Sequence, residues 1–316
     1  MSQQITDVKK NIKTVIKGKD EIIDKVLMAI LAQGNVLLED VPGVGKTTMA
    51  LAFAKTLGLD TKRVQFTPDT MPSDVIGFSV YNKETGGLDY KDGAIMTNLL
   101  LADEINRTSS KTQAALLEAM EEKKVTIDGI THMLPKPFIV LATQNPAGSA
   151  GTQMLPNSQL DRFIIKLSMG YPDLESQIDI LEERHLANPL ESLSPVTDME
   201  QLNKMIKETN ECNMERIVYE YVAHLVQKTR EHSMVALGVS PRGALALCRM
   251  AKAHSYVSGR NYVTPEDVQQ CFADVCAHRL VLNAKAKLNE YTAKEILEEI
   301  LQEVKAPVVK NIEINI

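Results

Sequence analysis

The chain has 316 residues, 44% apolar and 24% charged, with a net charge of −6. At roughly 150 residues per domain it has room for two domains, each large enough to bury a core without disulfide or metal staples. The composition excludes collagen, low-complexity disorder and a small disulfide scaffold; no apolar run reaches the ~18 residues of a membrane span, and the negative charge weighs against a dedicated duplex-DNA binder.

The start, MSQQITDVKK, lacks the apolar stretch of a signal peptide, so a cytoplasmic location is expected. Ile22, Ile23, Val26, Leu27, Ile30 and Leu31 recur at helical spacing, with Gly34 as the expected stop. NVLLE then reads as a buried strand that enters a Gly-rich turn and an Ala/Leu/Phe-rich helix ending near Gly58. RVQFT and NLLLADEI read as further strands, and SKTQAALLEAMEEK as a helix. KVTIDGITHML reads as a hairpin turning at Asp128-Gly129. FIVLATQN and IIKLSM complete the strands. Strands alternating with helices predict an α/β fold with a parallel sheet.

The pattern changes at Gly170–Asp173. Beyond it the periodicity is almost wholly helical, near 174–187, 198–210, 214–232, 241–258, 264–281 and 292–304. Thr264-Pro265-Glu266-Asp267 is a strong helix start. Residues 1–170 are therefore expected to form an α/β domain and 171–316 an all-α one. The first carries 19 basic and 19 acidic residues, so the second holds the whole net charge. The four cysteines, Cys212, Cys248, Cys271 and Cys276, lie in the acidic half at spacings that match no zinc pattern, and read as reduced thiols.

The chemistry-bearing motifs cluster in the first half. Asp40-Val41-Pro42-Gly43-Val44-Gly45-Lys46-Thr47-Thr48 joins a strand to a helix, the setting of a phosphate-binding loop. Lys46 is placed to reach the β- and γ-phosphates, and the Thr47 hydroxyl to bind Mg²⁺. The usual pattern has Gly six residues before the lysine; here it is Asp40, a residue that tolerates turn conformations. In LLLADEINR, Asp103 and Glu104 follow a buried strand; Asp103 is a candidate Mg²⁺ ligand and Glu104 the candidate base for an attacking water. Asn145 ends another apolar strand and, if that strand lies beside the one carrying Asp103, can orient that water. The first 170 residues hold only three arginines, Arg63, Arg107 and Arg162. In the second half, Arg242 opens a helix after Pro241, a position unfavourable for a cation unless a phosphate faces it.

Taken in order, EDVPGVGKT, LLLADEINR, LATQNP, LPNSQLDRF and GVSPRGAL resemble the Walker A, Walker B, sensor 1, arginine-finger and sensor 2 segments of the MoxR family of AAA+ ATPases. The resemblance runs from about Val15 to Pro307. It implies an AAA+ P-loop NTPase core with a helical lid, binding ATP and Mg²⁺ in a ring, usually a hexamer. VIKGKDEI resembles the segment packing on the adenine, which implies nucleotide contacts at Val15, Ile16 and Gly18, with Lys19 where Gln is usual. It also implies that Arg162 acts on the neighbouring subunit's nucleotide and Arg242 on that of its own chain, with Arg107 a second interface candidate. TPDTMPSDVIGFSVYNKETGGLDYKDGAI resembles the family's hairpin-bearing insert, and KVTIDGITHML the hairpin before sensor 1; both are expected to face the pore or a remodelled partner. Partners implied are a client protein complex and a protein with a von Willebrand factor A domain.

Two alternatives share parts of this machinery. A nucleotide-gated scaffold that does not hydrolyse needs neither Glu104 nor Arg162. A nucleic-acid motor needs basic tracking loops, whereas the insert sets Lys83 and Lys91 against Glu84, Asp89 and Asp92, and the second hairpin has only Lys124 and His132 on its basic side. The six histidines are dispersed, so no metal beyond Mg²⁺ is expected.

Overall fold

The computed structural model describes residues 3–41, 43–145, 154–186 and 189–308, the side chains of 183–186 excepted. Helix α1 (Gln3–Lys13) adds to the predicted elements; Ile5, Val8 and Ile12 fall on one face and are buried. Helix α2 (Asp20–Leu31) follows. Gln33, not Gly34, takes the left-handed conformation after it, with φ 52°. Gly34 is needed for another reason: a Cβ there would lie 2.3 Å from the Ile164 side chain.

The first half continues through β1 (Val36–Glu39), α3 (Lys46–Thr56), β2 (Thr61–Gln65), α4 (Pro72–Ile76), and the hairpin β3 (Phe78–Tyr81) and β4 (Leu88–Lys91). Then come β5 (Leu99–Asp103), α5 (Ser110–Glu122), the hairpin β6 (Lys124–Ile127) and β7 (Ile130–Met133), β8 (Ile139–Gln144), α6 (Asn157–Leu160) and β9 (Ile165–Leu167). Strand β2 starts two residues earlier than RVQFT predicts. Asp128 and Gly129 both take positive φ, the two-residue turn expected between β6 and β7.

The sheet has the order β2-β5-β8-β1-β9, all parallel. Strands β5 and β8 are buried on both faces, which is why they read as unbroken apolar runs. Leu99, Leu101, Ile139 and Leu141 face one core, and Leu100, Ala102, Val140 and Ala142 the other. The edge strand β2 is mostly exposed and correspondingly polar.

The second half holds α7 (Leu174–Leu186), α8 (Met199–Glu211), α9 (Arg216–Glu231), α10 (Pro241–Val257), α11 (Pro265–Cys276), α12 (Ala284–Leu288) and α13 (Ala293–Glu303). It is not purely helical: β10 (Val235–Leu237) and β11 (Val281–Leu282) form an antiparallel ribbon. Helix α11 accordingly ends at Cys276, before the 281 expected; a 3₁₀ turn follows at Ala277–Arg279. Leu202, Val222, Leu247, Phe272 and Ile296 join the core shared by α1, α2 and α3, so α8, α9, α10, α11 and α13 pack on one face of the sheet domain. Among the described residues no helix is long and apolar enough to cross a membrane.

Asp267 locks α10 to α11. It is fully buried, closes a capping box with Thr264, takes Arg260 at 2.8 and 2.5 Å, and lies 2.5 Å from His254 Nδ1. Burial alone pushes its carboxyl up; the bonds from His254, Arg260 and Thr264 together outweigh it and hold the group near about 2. The unfolded chain protonates this group near 3.8, so unfolding takes up a proton between the two values. The contribution, on the order of 2 kcal/mol, is present above pH ~4 and lost as pH falls through about 2. Urea unfolding at pH 5 and pH 3 is expected to show about half of that loss, the folded group still being mostly ionised at pH 3. Asp267→Asn is expected to be destabilised at pH 7 by about 3 kcal/mol, because the fully buried acceptor loses the charge that holds Arg260, His254 and the Thr264 cap together, and to lose less on acidification.

Candidate active site

The parallel sheet presents the ends of β1, β5 and β8 on one edge, where the crevice of an open α/β sheet lies. The loop after β1 turns at Gly43 (φ 85°) and Gly45 (φ 94°), conformations that side chains with a Cβ adopt at a cost. Gly45 caps α3, leaving the first amides of the helix directed at the crevice. Lys46 is buried and donates from Nζ to the carbonyls of Asp40 (2.5 Å) and Val41 (3.2 Å). Burial lowers its pKa, against the opposing pull of Asp40, Asp103 and Glu104. Pro42 lies outside the described residues.

Asp40 is not in a left-handed turn, contrary to the reason expected for it. Its carboxylate accepts from Val41 N (2.8 Å), Ser168 Oγ (2.8 Å) and Gly170 N (2.6 Å). It therefore ties the phosphate loop to the chain leaving β9. Burial raises its pKa, and these bonds more than offset the rise.

Asp103 ends β5 and is buried. Its Oδ1 accepts from Thr143 Oγ1 at 2.6 Å, and its Oδ2 lies 3.4 Å from Thr47 Oγ1. Two hard oxygens, one of them anionic, meet at the first turn of α3, a donor set that suits Mg²⁺ completed by phosphate oxygens and water. Oδ2 also takes Arg63 Nη2 at 2.7 Å, an interaction the sequence does not announce because it depends on β2 lying beside β5.

Glu104 holds φ 56°, a strained conformation for a non-glycine residue and one that clusters at functional sites. Its amide donates to Thr143 Oγ1 (2.9 Å). Its carboxylate takes Asn145 Nδ2 at 3.1 Å and Arg107 Nη1 at 2.7 Å. Strands β5 and β8 are neighbours, so Asn145 does meet the acidic pair. Arg107, expected as an interface candidate, here pairs with the glutamate of its own chain.

A cleft beside the loop is lined by Val15, Ile16, Lys17, Lys19, Val44, Gly45, Thr48, Met169, Pro172 and Ile180. Its apolar walls and the adjoining helix N-terminus suit a flat base joined to phosphates. Met169, Pro172 and Ile180 are additions to the sequence-derived set. Gly18 does not line the cleft; its φ of 63° and the packing of Ser176 against it, 2.2 Å from where a Cβ would be, make it a turn against α7. Lys19 donates to the Tyr171 carbonyl at 2.8 Å.

The remaining two arginines lie elsewhere. Arg162 donates to Leu117 O (2.6 Å) and pairs with Glu121 (3.1 Å) near the end of α5. Arg242 pairs with the same Glu121. Arg242, expected at its own chain's nucleotide, lies here against α5 and not at the phosphate loop. Ser240 caps α10 and bonds Asp161 at 3.0 Å, which sets the start of α10 against the Asp161 segment and leaves Arg242 over α5. The two line a cavity of about 170 Å³ with Lys123, Arg249, Arg279, Glu121 and Asp161, and no residue of the phosphate loop shares it. Five cations face two carboxylates there. Burial, with Arg249 nearby, pulls the Lys123 ammonium down to about 8.

Residues 35–165 match the model of the ATPase family associated with various cellular activities (AAA), and residues 227–300 that of the AAA lid domain. Uncharacterized protein YeaC of Bacillus subtilis is 49% identical, over 94% of this chain and 93% of its own. Chaperone MoxR1 of Mycobacterium tuberculosis is 37% identical, over 94% and 80%. The crystal structure of a candidate ATPase from Cytophaga hutchinsonii superposes with a TM-score of 0.90 at 37% identity, covering 96% of this chain and 95% of that one. Matched along nearly its whole length, with the loop, acidic pair and polar strand end gathered at one sheet edge, the chain belongs to the MoxR family of AAA+ ATPases.

Proposed function

We propose that the protein hydrolyses ATP with Mg²⁺ at the borders between subunits of a ring, a hexamer in the family's usual form, and uses the cycle to remodel a partner protein. The observation that carries this is the separation of one catalytic set into two places. Lys46, Thr47, Asp103, Glu104 and Asn145 meet at the sheet edge, while Arg162 and Arg242 sit together on Glu121 in a cavity with surplus positive charge. An anion brought by a neighbouring subunit satisfies that surplus.

In this reading residues 1–170 bind the nucleotide and 171–316 form the lid. The base lies in the cleft of Val15, Ile16 and Met169, and the phosphates on the loop amides and Lys46. Mg²⁺, held by Thr47 and Asp103, would neutralise phosphate charge. Glu104 takes the proton of the attacking water, with Asn145 fixing the carboxylate's direction. Arg162 and Arg242 of the next subunit stabilise charge on the transferred phosphoryl group.

Partner engagement falls to the two hairpins. Phe78, Tyr81, Leu88, Ile130 and Met133 are each more than half exposed there. Tyr90 stacks on His132 at 3.9 Å, which joins the hairpins. Exposed apolar side chains along hairpin strands suit a protein client, including one with a von Willebrand factor A domain, better than a nucleic-acid backbone. Cytoplasmic placement fits this reading. Phosphate release per subunit, measured over a range of concentrations, is expected to rise steeply as rings form. A rate per subunit independent of concentration, in a protein that stays monomeric by light scattering, contradicts the proposal.

A further inference from the structure

Arg279 is the most deeply buried guanidinium among the described ion pairs, its side chain 2% exposed. It leaves the turn after α11 and enters the segment that carries Arg162. Its Nε donates to Asp161 Oδ1 (2.7 Å), and its Nη2 to the carbonyls of Asp161 (3.1 Å) and Phe163 (2.7 Å). Its Nη1 donates to the carbonyls of Ile164 (3.2 Å) and Val275. Both backbone neighbours of Arg162 are thus held by one side chain of the lid.

The same group sets Arg242. The second oxygen of Asp161 takes Ser240 Oγ at 3.0 Å, two residues before Arg242. Gly243, directly after it, has no room for a side chain: a Cβ there would lie 2.8 Å from Arg279 Cδ and 2.5 Å from Val239 Cγ1. A lid needing only adhesion would use apolar contacts, since an ion pair buried this deeply costs desolvation that a hydrophobic pair does not. A planar five-donor fork is suited to something else, fixing several acceptors in one geometry.

We propose that Arg279, working through Asp161, is a positioning residue that holds Arg162 and Arg242 in one register, so that a movement of the lid displaces both together. This rests on the reading that the two arginines serve the neighbouring subunit's nucleotide. A shift of about 1 Å in such a group costs roughly 100-fold in rate.

The test uses Arg279→Lys, which keeps the charge but cannot reach four carbonyls and a carboxylate at once. Alone, it is expected to bind a fluorescent ATP analogue as the wild type does and to hydrolyse ATP roughly 100-fold more slowly. Mixed with Lys46→Ala subunits, which cannot hydrolyse but carry intact arginines, it is expected to recover, because its own nucleotide site is sound. Arg162→Ala mixed with Lys46→Ala is the control. If the control recovers and Arg279→Lys does not, or if Arg279→Lys alone is as fast as wild type, the positioning role is overturned. If the control itself fails to recover, the action across subunits fails instead. Gly243→Ala, which presses on Arg279 without removing it, is expected to give a weaker form of the same pattern and carries the test should the lysine chain fail to assemble. Full activity in Gly243→Ala rings counts against the role.

Discussion

Glu104→Gln is expected to bind ATP with wild-type affinity and to release phosphate ~10²–10⁴-fold more slowly. The amide preserves the size of the side chain and its contact with Asn145 Nδ2, 3.1 Å away in the parent. It removes the one function that the carboxylate supplies, acceptance of a proton from the attacking water. Binding is expected to survive because the loop amides, Lys46 and the cleft around Val15 and Met169 are untouched. Arg107 loses its anionic partner at 2.7 Å, but it is substantially exposed, so the effect on stability is expected to be under about 1 kcal/mol. Phosphate release and equilibrium binding measured on the same preparation separate the two quantities. Turnover at the wild-type rate removes Glu104 from the chemistry; lost binding shows that its role is structural. The comparison also addresses a scaffold that only binds nucleotide, for which no hydrolysis is measurable in either protein.

Arg162→Ala is expected to lower the rate further, by ~10³–10⁵, again with nucleotide still bound. The size follows from what such a group does: a fixed cation at the transferring phosphoryl oxygens acts where charge develops in the transition state. The parent arginine is positioned by Leu117 O at 2.6 Å and Glu121 at 3.1 Å, so little of its geometry has to be established during reaction. Arg242→Ala is expected to be the milder of the two, since Arg242 is more exposed than Arg162 and shares Glu121 with it. Truncating either one leaves Glu121 with the other, so the double variant is expected to be less than additive. Single-turnover kinetics separate a slower chemical step from slower release of product.

The parts of the fold legible in the sequence are those with local causes. Buried parallel strands must be apolar on both faces, so β5 and β8 read directly, and positive φ required glycine at 43 and 45. Asn145 was conditional on strand order, which sequence does not contain; the pairing of Ala102 with Ala142 supplies it. What stayed hidden depends on residues brought together across the chain. Arg63 meets Asp103 only through the register of β2 on β5. Arg242 joins Arg162 because Ser240 is tied to Asp161, 79 positions away, and no local pattern distinguishes that from a nucleotide contact in its own subunit. The β10–β11 ribbon is short and half-exposed, with no alternation to reveal it. Asp40 was visible as a departure from the loop pattern, but its purpose was not, since Ser168 and Gly170 lie on another strand's exit.

The most direct test of the account mixes two inactive proteins. Lys46→Ala subunits lack the loop lysine but retain Arg162 and Arg242; Arg162→Ala subunits retain the loop, Asp103, Glu104 and Asn145. Each alone is expected to release almost no phosphate. Mixed under conditions that allow subunits to exchange, they are expected to regain a substantial fraction of wild-type activity, greatest near equal proportions, because each border can then combine one chain's sheet-edge site with another chain's arginines. A mixture that forms mixed rings by native mass spectrometry yet stays as inactive as its components contradicts a site shared between subunits.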